Sequence, residues 1–360
     1  MRYEDRQDRL IAGLGDAGVD AMLVTNLINV RYLCGYVGSN GVVLVAPDRK
    51  ALLTDFRYVL VAREQTEGVE VIEAGRDLFA KVAELVGEVA PGGRVGFEAE
   101  HTSVARHERL RKSFTGIELV PTTDIVENIR LHKEPQEIET MARAARIADH
   151  AFAACRDGAF RGRSEKQVAW DLEGIMRAHG AEGASFGIIV ASGLHGAFPH
   201  AVPTDDPIPG DTLVTVDLGA VVDGYASDCT RTFATGRLPD ALAHAYAEVL
   251  AAQEKAVAAV RPGITGGELD AVARDHLTAA GLGEHFRHGL GHGVGLQVHE
   301  RPWAREGIVE GIEAGMTVTI EPGVYLEGIG GVRVEDLVVV TDTGGEVLTG
   351  FTKELLQVDS

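Results

Sequence analysis

Three histidines fall within twelve residues in His288-Gly-Leu-Gly-His292-Gly-Val-Gly-Leu-Gln-Val-His299, and glycines 289, 291, 293 and 295 alternate with them. Four interleaved glycines would cost a helix roughly 1 kcal/mol each, so the stretch reads as extended or looped. In an extended chain His288, Leu290, His292 and Val294 share one side. The glycines then leave the other side bare, open to a metal site or a substrate backbone.

Carboxylates supply the second chemical theme. Asp217 and Asp228 flank Asp223-Gly224, a strong two-residue hairpin signal. With that turn Val222 pairs with Tyr225, Gly219 with Asp228 and Asp217 with Thr230, which puts both aspartates on one face as diagonal neighbours. Glu321 in Ile-Glu-Pro-Gly and Glu335 in Arg-Val-Glu-Asp repeat the arrangement across Gly328-Ile-Gly-Gly331. A three-residue turn centred on Ile329 would bring these two to one face. Carboxylates set among apolar strand residues repel each other unless a cation or a proton lies between them. Four of them with one histidine suit two divalent ions about 3.5–4 Å apart, bridged by a hydroxide. Oxygen-dominated ligation without cysteine puts Mn²⁺ first, with Co²⁺ or Zn²⁺ as alternatives.

The elements that must position these residues follow from periodicity. Helical spacing at 3–18, 78–89 and 104–113 alternates with apolar strands at 21–25, 41–46, 50–54 and 94–97, which implies a small α/β domain with a mixed or parallel sheet over 1–124. No glycine-rich phosphate fingerprint opens any of its helices. Polar, proline-containing 125–136 reads as a linker, and 137–360 as an α+β catalytic domain. That domain carries helices over 137–155 and 240–260, one from a Ser164-Glu-Lys-Gln167 capping box to near Gly180, and one capped by Thr265.

The 360 residues, 45% hydrophobic, can bury a sizeable core, and a formal charge of -20 makes nucleic acid an unsuited partner. Cys34, Cys155 and Cys229 are too few and too odd in number for a disulfide framework. The N-terminus lacks the apolar core of a signal peptide, and no apolar run has the length of a membrane span, so a cytoplasmic protein with no membrane partner is expected.

Taken together, Asp217, Asp228, His292, Glu321 and Glu335 resemble the five-ligand signature of the pita-bread metallopeptidases. The two-domain layout is similar to that of the Xaa-Pro peptidases, aminopeptidase P and prolidase, whose N-terminal domain is creatinase-like. Asn29-Val-Arg-Tyr-Leu33, Thr54-Asp-Phe-Arg-Tyr58 and Arg130-Leu-His-Lys-Glu-Pro135 extend the resemblance over the whole chain. The resemblance implies a pita-bread domain behind a smaller creatinase-like α/β domain. Asp217 would ligate one metal, His292 and Glu321 the other, with Asp228 and Glu335 bridging. It makes His200 a substrate-binding histidine, His299 the group that stabilises the tetrahedral intermediate, and His288 and Arg333 residues that support the ligands or touch substrate. Tyr325 is a further candidate, and Glu321 could relay the proton that a departing prolyl nitrogen requires. The implied partners are a peptide with proline in second position and a second copy of the chain in a homodimer.

Thr54-Asp-Phe-Arg-Tyr58 and Gly38-Ser-Asn-Gly41 favour aminopeptidase P over the dipeptidase alternative, which needs a group to cap the dipeptide carboxylate. Two other classes stay open. A metal-independent amidinohydrolase of the creatinase type predicts a degraded ligand set, and all five positions are intact here. A non-catalytic peptide-binding module predicts no metal-dependent turnover. Cys229 reads as a packing residue, Trp170 as a helix-packing residue and Trp303 as part of the site rim. The remaining histidines read as surface or satisfied positions. Among them His195 stands out, five residues before His200.

Overall fold

Runs of aliphatic and β-branched residues separated by Pro, Asn, Asp and Gly define the strands of the first unit. In the computed structural model, which describes residues 2–75, 77–90, 92–158, 160 and 162–358, the chain divides into two units, Met1–Arg130 and Leu131–Ser360. Strands β1 (Ala21–Val24), β2 (Val42–Ala46), β3 (Arg49–Thr54), β4 (Glu70–Glu73), β5 (Arg94–Glu98) and β6 (Glu118–Thr122) form one sheet in the order β4-β3-β2-β1-β5-β6. β2 pairs antiparallel with β1 and β3 while the other pairings are parallel, so the sheet is mixed. Helices Leu78–Val89 and Val104–Ser113 lie where the periodicity puts them, and the Asp77 and Ser103 side chains accept from the Ala80 and Arg106 amides.

Residues 125–136, expected as a linker, are largely helical. Helix Ile125–Leu131 runs up to the division between the units, and the next helix starts at Pro135, whose fixed φ and missing N–H suit a first turn.

In the second unit the order of two helices followed by carboxylate-bearing strands occurs twice. Helices Pro135–Asp157 and Glu165–Ala178 precede β7 (Gly183–Ala184), β8 (Ile189–Ser192), β9 (Thr212–Leu218), β10 (Ala220–Val222), β11 (Tyr225–Ala226) and β12 (Cys229–Thr235). Helices Asp240–Ala259 and Gly266–Ala279 precede β13 (Gly291–Gly293), β14 (Glu300–Ala304), β15 (Thr317–Ile320), β16 (Gly323–Leu326), β17 (Gly330–Arg333), β18 (Asp336–Val340) and β19 (Gly345–Val347). Each helix pair has its own core. Phe152, Leu172 and Met176 pack on Val214, Val216 and Phe233 in the first half, and Val249, Leu269 and Ala273 share a core with Val318, Ile320 and Val332 in the second.

The expected capping box forms at Ser164 with Gln167, and Thr265, expected as a cap, forms a full capping box with Glu268. Trp170 departs from expectation. It does not pack between elements but is 65% exposed.

Candidate active site

The Asp-Gly turn fixes where the first two carboxylates stand. Asp223 and Gly224 take positive φ of 46° and 75°, as a two-residue primed turn requires, and Val222 pairs with Tyr225. The same register runs down the hairpin to Thr230 opposite Asp217, so Asp217 and Asp228 come to one face.

The second hairpin differs by one residue from expectation. β16 and β17 pair Gly323 with Arg333 and Leu326 with Gly330, so the three-residue turn is centred on Gly328, not Ile329. Gly328 has φ 74°, a conformation glycine adopts without strain. β15 and β18 keep the same register, Ile320 opposite Asp336, which sets Glu321 across from Glu335. The hairpins are stitched together at the site, where the Glu335 amide donates to Thr230 O (3.1 Å) and Thr230 Oγ1 donates to Glu335 Oε2 (2.7 Å).

Carboxylate oxygens of Asp217, Asp228 and Glu335, all buried, lie within 4.8 Å of one another. His292 joins them, with Nε2 3.2 Å from Glu321 Oε1 and 3.7 Å from Asp228 Oδ2. Its Nδ1 lies 3.1 Å from Gly293 O, a group that can only accept, so Nδ1 carries a proton and Nε2 is turned to the carboxylates, where in the protonated ring it donates to Glu321 Oε1. Thr319 Oγ1 donates to Glu321 Oε1 at 3.1 Å and takes the His292 amide at 3.0 Å, fixing both residues. All five residues expected to be ligands therefore meet in one place.

The glycines between the histidines serve a different purpose from the one their spacing suggests. A Cβ at Gly291 would lie 1.9 Å from Thr319 O, and one at Gly293 would lie 2.2 Å from Arg301 O. What crowds Gly291 and Gly293 is neighbouring backbone, and what crowds Gly289 and Gly295 is the side chains of Arg305 and Glu300. Nor do the apolar residues share the histidines' surroundings, since His288 and His292 line the cavity while Leu290 belongs to the core.

The electrostatics divide the carboxylates. Burial, then the negative charge of their neighbours, pushes Asp228 and Glu335 well above the ordinary carboxylate range. Burial likewise raises Asp217, although the Arg333 charge opposes it. Burial also works against ionised Glu321, but the hydrogen bond from His292 and its charge prevail and bring that carboxyl down to about 2. Asp217 Oδ1 and Glu335 Oε1 are buried without a hydrogen-bond partner among the described residues. Buried carboxylate oxygens left without a partner in so tight a group fit divalent cations, and the donor set of carboxylates with one imidazole suits them.

Above this floor lies a cavity of about 600 Å³. His200, His288, His299, Tyr325 and Arg333 line it, as do Phe186, Ile189, Val202, Trp303 and Arg305. His200 and His299 are exposed to the cavity. Arg333, expected as a ligand-supporting or substrate-contacting group, has its donors committed. Nη2 donates to Asp217 Oδ2 (2.7 Å), Nη1 to Tyr325 Oη (2.7 Å) and Pro199 O (3.3 Å), and Nε to Thr230 Oγ1 (3.1 Å). His288 Nε2 lies 3.1 Å from Tyr325 Oη, which makes Tyr325 the link between the histidine and the guanidinium. Burial lowers both His288 and His299, the latter also through the charge of His292, so both are neutral near pH 7.

Arg305 is the site residue that sequence reasoning missed. It is exposed at the cavity, stacks 5.4 Å over the Trp303 ring, and makes no salt bridge with any described residue. It stands in irregular chain just past β14, where periodicity carries no signal.

Residues 139–342 match the metallopeptidase family M24, and residues 6–132 match the creatinase/prolidase N-terminal domain. The chain is 34% identical to the Xaa-Pro dipeptidase of Pyrococcus furiosus over 98% of its length and 100% of that protein. It superposes on the structure of an Xaa-Pro dipeptidase from Bacillus anthracis with a TM-score of 0.96, at 41% identity, covering 98% of this chain and 99% of that one. It is also similar to an X-Pro aminopeptidase from Thermotoga maritima, with TM-score 0.91, 34% identity and coverage of 98% and 100%.

Proposed function

The chain belongs to metallopeptidase family M24, and from that premise we propose that it is an Xaa-Pro dipeptidase acting on a free dipeptide with C-terminal proline. The observation that carries the hydrolytic reading is the convergence of Asp217, Asp228, Glu321, Glu335 and His292, with two buried carboxylate oxygens left unpartnered, on the floor of the cavity. These five residues would hold two divalent ions, Mn²⁺ ahead of Co²⁺ or Zn²⁺. Bound there, the ions supply a nucleophile near neutral pH and polarise the scissile carbonyl.

The chain's own groups do the rest. Neutral His299 has an N–H to offer the oxyanion that develops on the carbonyl, and His200 lines the same cavity, where it can contact the substrate. Glu321, ionised at neutral pH, can accept a proton and pass it to the prolyl nitrogen, which leaves as a secondary amine and must be protonated to do so. Arg333 and Thr230 hold Asp217 and Glu335 in place for this chemistry. The substrate's α-ammonium group meets an acidic floor.

The aminopeptidase P preference that Thr54-Asp-Phe-Arg-Tyr58 suggests gives way to the dipeptidase alternative. Support comes from relatives described as Xaa-Pro dipeptidases over nearly the full chain, and from Arg305, whose guanidinium can take the terminal carboxylate of a dipeptide. A longer peptide has an amide at that point and offers no charge to pair. The reading includes a cytoplasmic site of action and a homodimer, which light scattering would test.

The experiment is a panel of Xaa-Pro and Xaa-Pro-Xaa peptides assayed after chelation and after Mn²⁺ addition. The expected result is no turnover with chelator, recovery with Mn²⁺, and kcat/KM at least about tenfold higher on dipeptides, with Arg305→Ala erasing most of that preference. A wild-type protein that prefers the longer peptides would restore aminopeptidase P. Turnover indifferent to chelation would end the metallopeptidase assignment of the site.

A further inference from the structure

Glu165 opens the helix Glu165–Ala178, yet its side chain turns away from the helix surface and is 2% exposed. Its two oxygens receive five donors from one segment of chain. Oε1 accepts from the Ser192 amide (2.8 Å) and the Ser192 hydroxyl (2.9 Å). Oε2 accepts from His195 Nδ1 (2.8 Å), the Thr204 amide (3.1 Å) and the Thr204 hydroxyl (3.1 Å). Ser192 ends β8 and Thr204 lies twelve residues on, so one buried carboxylate closes a loop whose tip is Pro199-His200-Ala201-Val202, part of the cavity wall.

Two further anchors hold the middle of this loop against the site. Arg333 donates to Pro199 O while also holding Asp217. Gly196 meets Gly331 of β17 so closely that a Cβ on Gly331 would lie 1.9 Å from Gly196 O. Of the loop's apolar residues Ala201 alone is buried, against Ile189 and Ala191, while Leu194, Phe198 and Val202 are exposed, as is His200. A segment of this length with exposed side chains keeps its shape through its anchors, and the charge-assisted bonds at its ends are the strongest of these.

We propose that Glu165 is a positioning residue for substrate binding: by gathering Ser192, His195 and Thr204 it holds the 193–203 loop so that His200 faces the dipeptide. The proposal rests on the reading of His200 as substrate-facing. It assigns His195 a part as well, as one of the donors through which the loop is tied. Because the carboxylate acts on the loop and not on the carboxylate floor, its loss should weaken substrate binding and leave the chemical step and metal uptake in place.

The test is Glu165→Gln, which keeps the size but gives up one acceptor and adds a donor where donors already converge. The expected result is a rise in KM for an Xaa-Pro dipeptide of about tenfold or more, kcat within about threefold, and unchanged Mn²⁺ uptake. Amide hydrogen exchange over 193–204 should quicken while exchange in β9 and β12 stays slow. Unchanged KM and exchange would overturn the proposal. So would a fall in kcat and in Mn²⁺ uptake at constant KM, which would tie Glu165 to the floor instead. If Glu165→Gln does not fold, Thr204→Val removes one donor and decides the same way, with a KM rise of about threefold and faster exchange expected, and no change in either overturning. If the wild-type protein cleaves no Xaa-Pro peptide the dipeptidase reading fails, and hydrogen exchange in the variant still decides whether Glu165 orders the loop.

Discussion

Glu335 and Asp336 are neighbours in sequence, both buried carboxylates, and they behave in opposite ways. Asp336 is saturated with donors: Arg231 Nη2 and Thr349 Oγ1 on one oxygen, both at 2.8 Å, and Gln253 Nε2 (2.9 Å) and Lys353 Nζ (2.8 Å) on the other. Burial works against its charge, but Arg231 and Lys353 hold its carboxyl below the ordinary range. Glu335 has the Thr230 hydroxyl and an orphaned oxygen, and burial with surrounding negative charge pushes it well above that range. Arg231 also donates to the backbone carbonyl of Glu335, so the satisfied layer braces the unsatisfied one. A carboxylate that supports the fold arrives with its cations built in. One meant to bind a cation is left short of them.

The sharpest way to break this contrast is to neutralise one side at a time. Asp228→Asn or Glu335→Gln should lower kcat/KM by more than about 10³-fold, the scale on which a preorganised charge-stabilising group acts, without loss of thermal stability in chelated protein. A large loss of stability would mean these residues serve the fold. Asp336→Asn should do the reverse. Breaking its pairing with Arg231 leaves a buried guanidinium uncompensated, at a cost of about 3 kcal/mol read by denaturant unfolding. Activity per folded molecule should drop by only about 10–100-fold, as for groups that brace a ligand without being one.

A smaller effect follows from the same contrast and depends on pH. Chelated protein with Asp228 and Glu335 raised holds more protons folded than unfolded at pH values above the unfolded carboxylate range, about 4. Its unfolding free energy should therefore fall as pH rises from about 4 toward neutrality. Glu321 and Asp336, whose carboxyls are lowered, contribute stability that is lost only as pH drops below that range. Thermal melts of chelated protein across this window check the sign. Melts that rise with pH would show that the two carboxylates are not held in their neutral forms.

The sequence made the first hairpin legible because Asp-Gly permits one tight turn and the period of two does the rest, down to Thr230 opposite Asp217. The second hairpin slipped by one residue because Gly328, Gly330 and Gly331 allow several turns, and only packing chooses among them. The glycine comb near His292 advertised close approach correctly but not by what, since the oncoming backbone belongs to residues 301 and 319, distant in sequence. Glu165 was invisible for a related reason. In the sequence it is one more acidic residue in a first helical turn, and nothing local distinguishes a carboxylate facing solvent from one gathering Ser192 and Thr204. The twofold order of helix pair and carboxylate hairpin was equally hidden, because packing needs apolar residues at matching positions and not the same residues.

Whether the carboxylate floor takes up a pair of cations is decided by calorimetric titration of chelated protein with Mn²⁺ near neutral pH, run in two buffers of different ionisation enthalpy. The expected result is saturable uptake of about two ions per chain with net proton release, as the cations displace protons from Asp228 and Glu335, and loss of that uptake in Asp228→Asn. No saturable uptake, or uptake equally strong in Asp228→Asn, would contradict it.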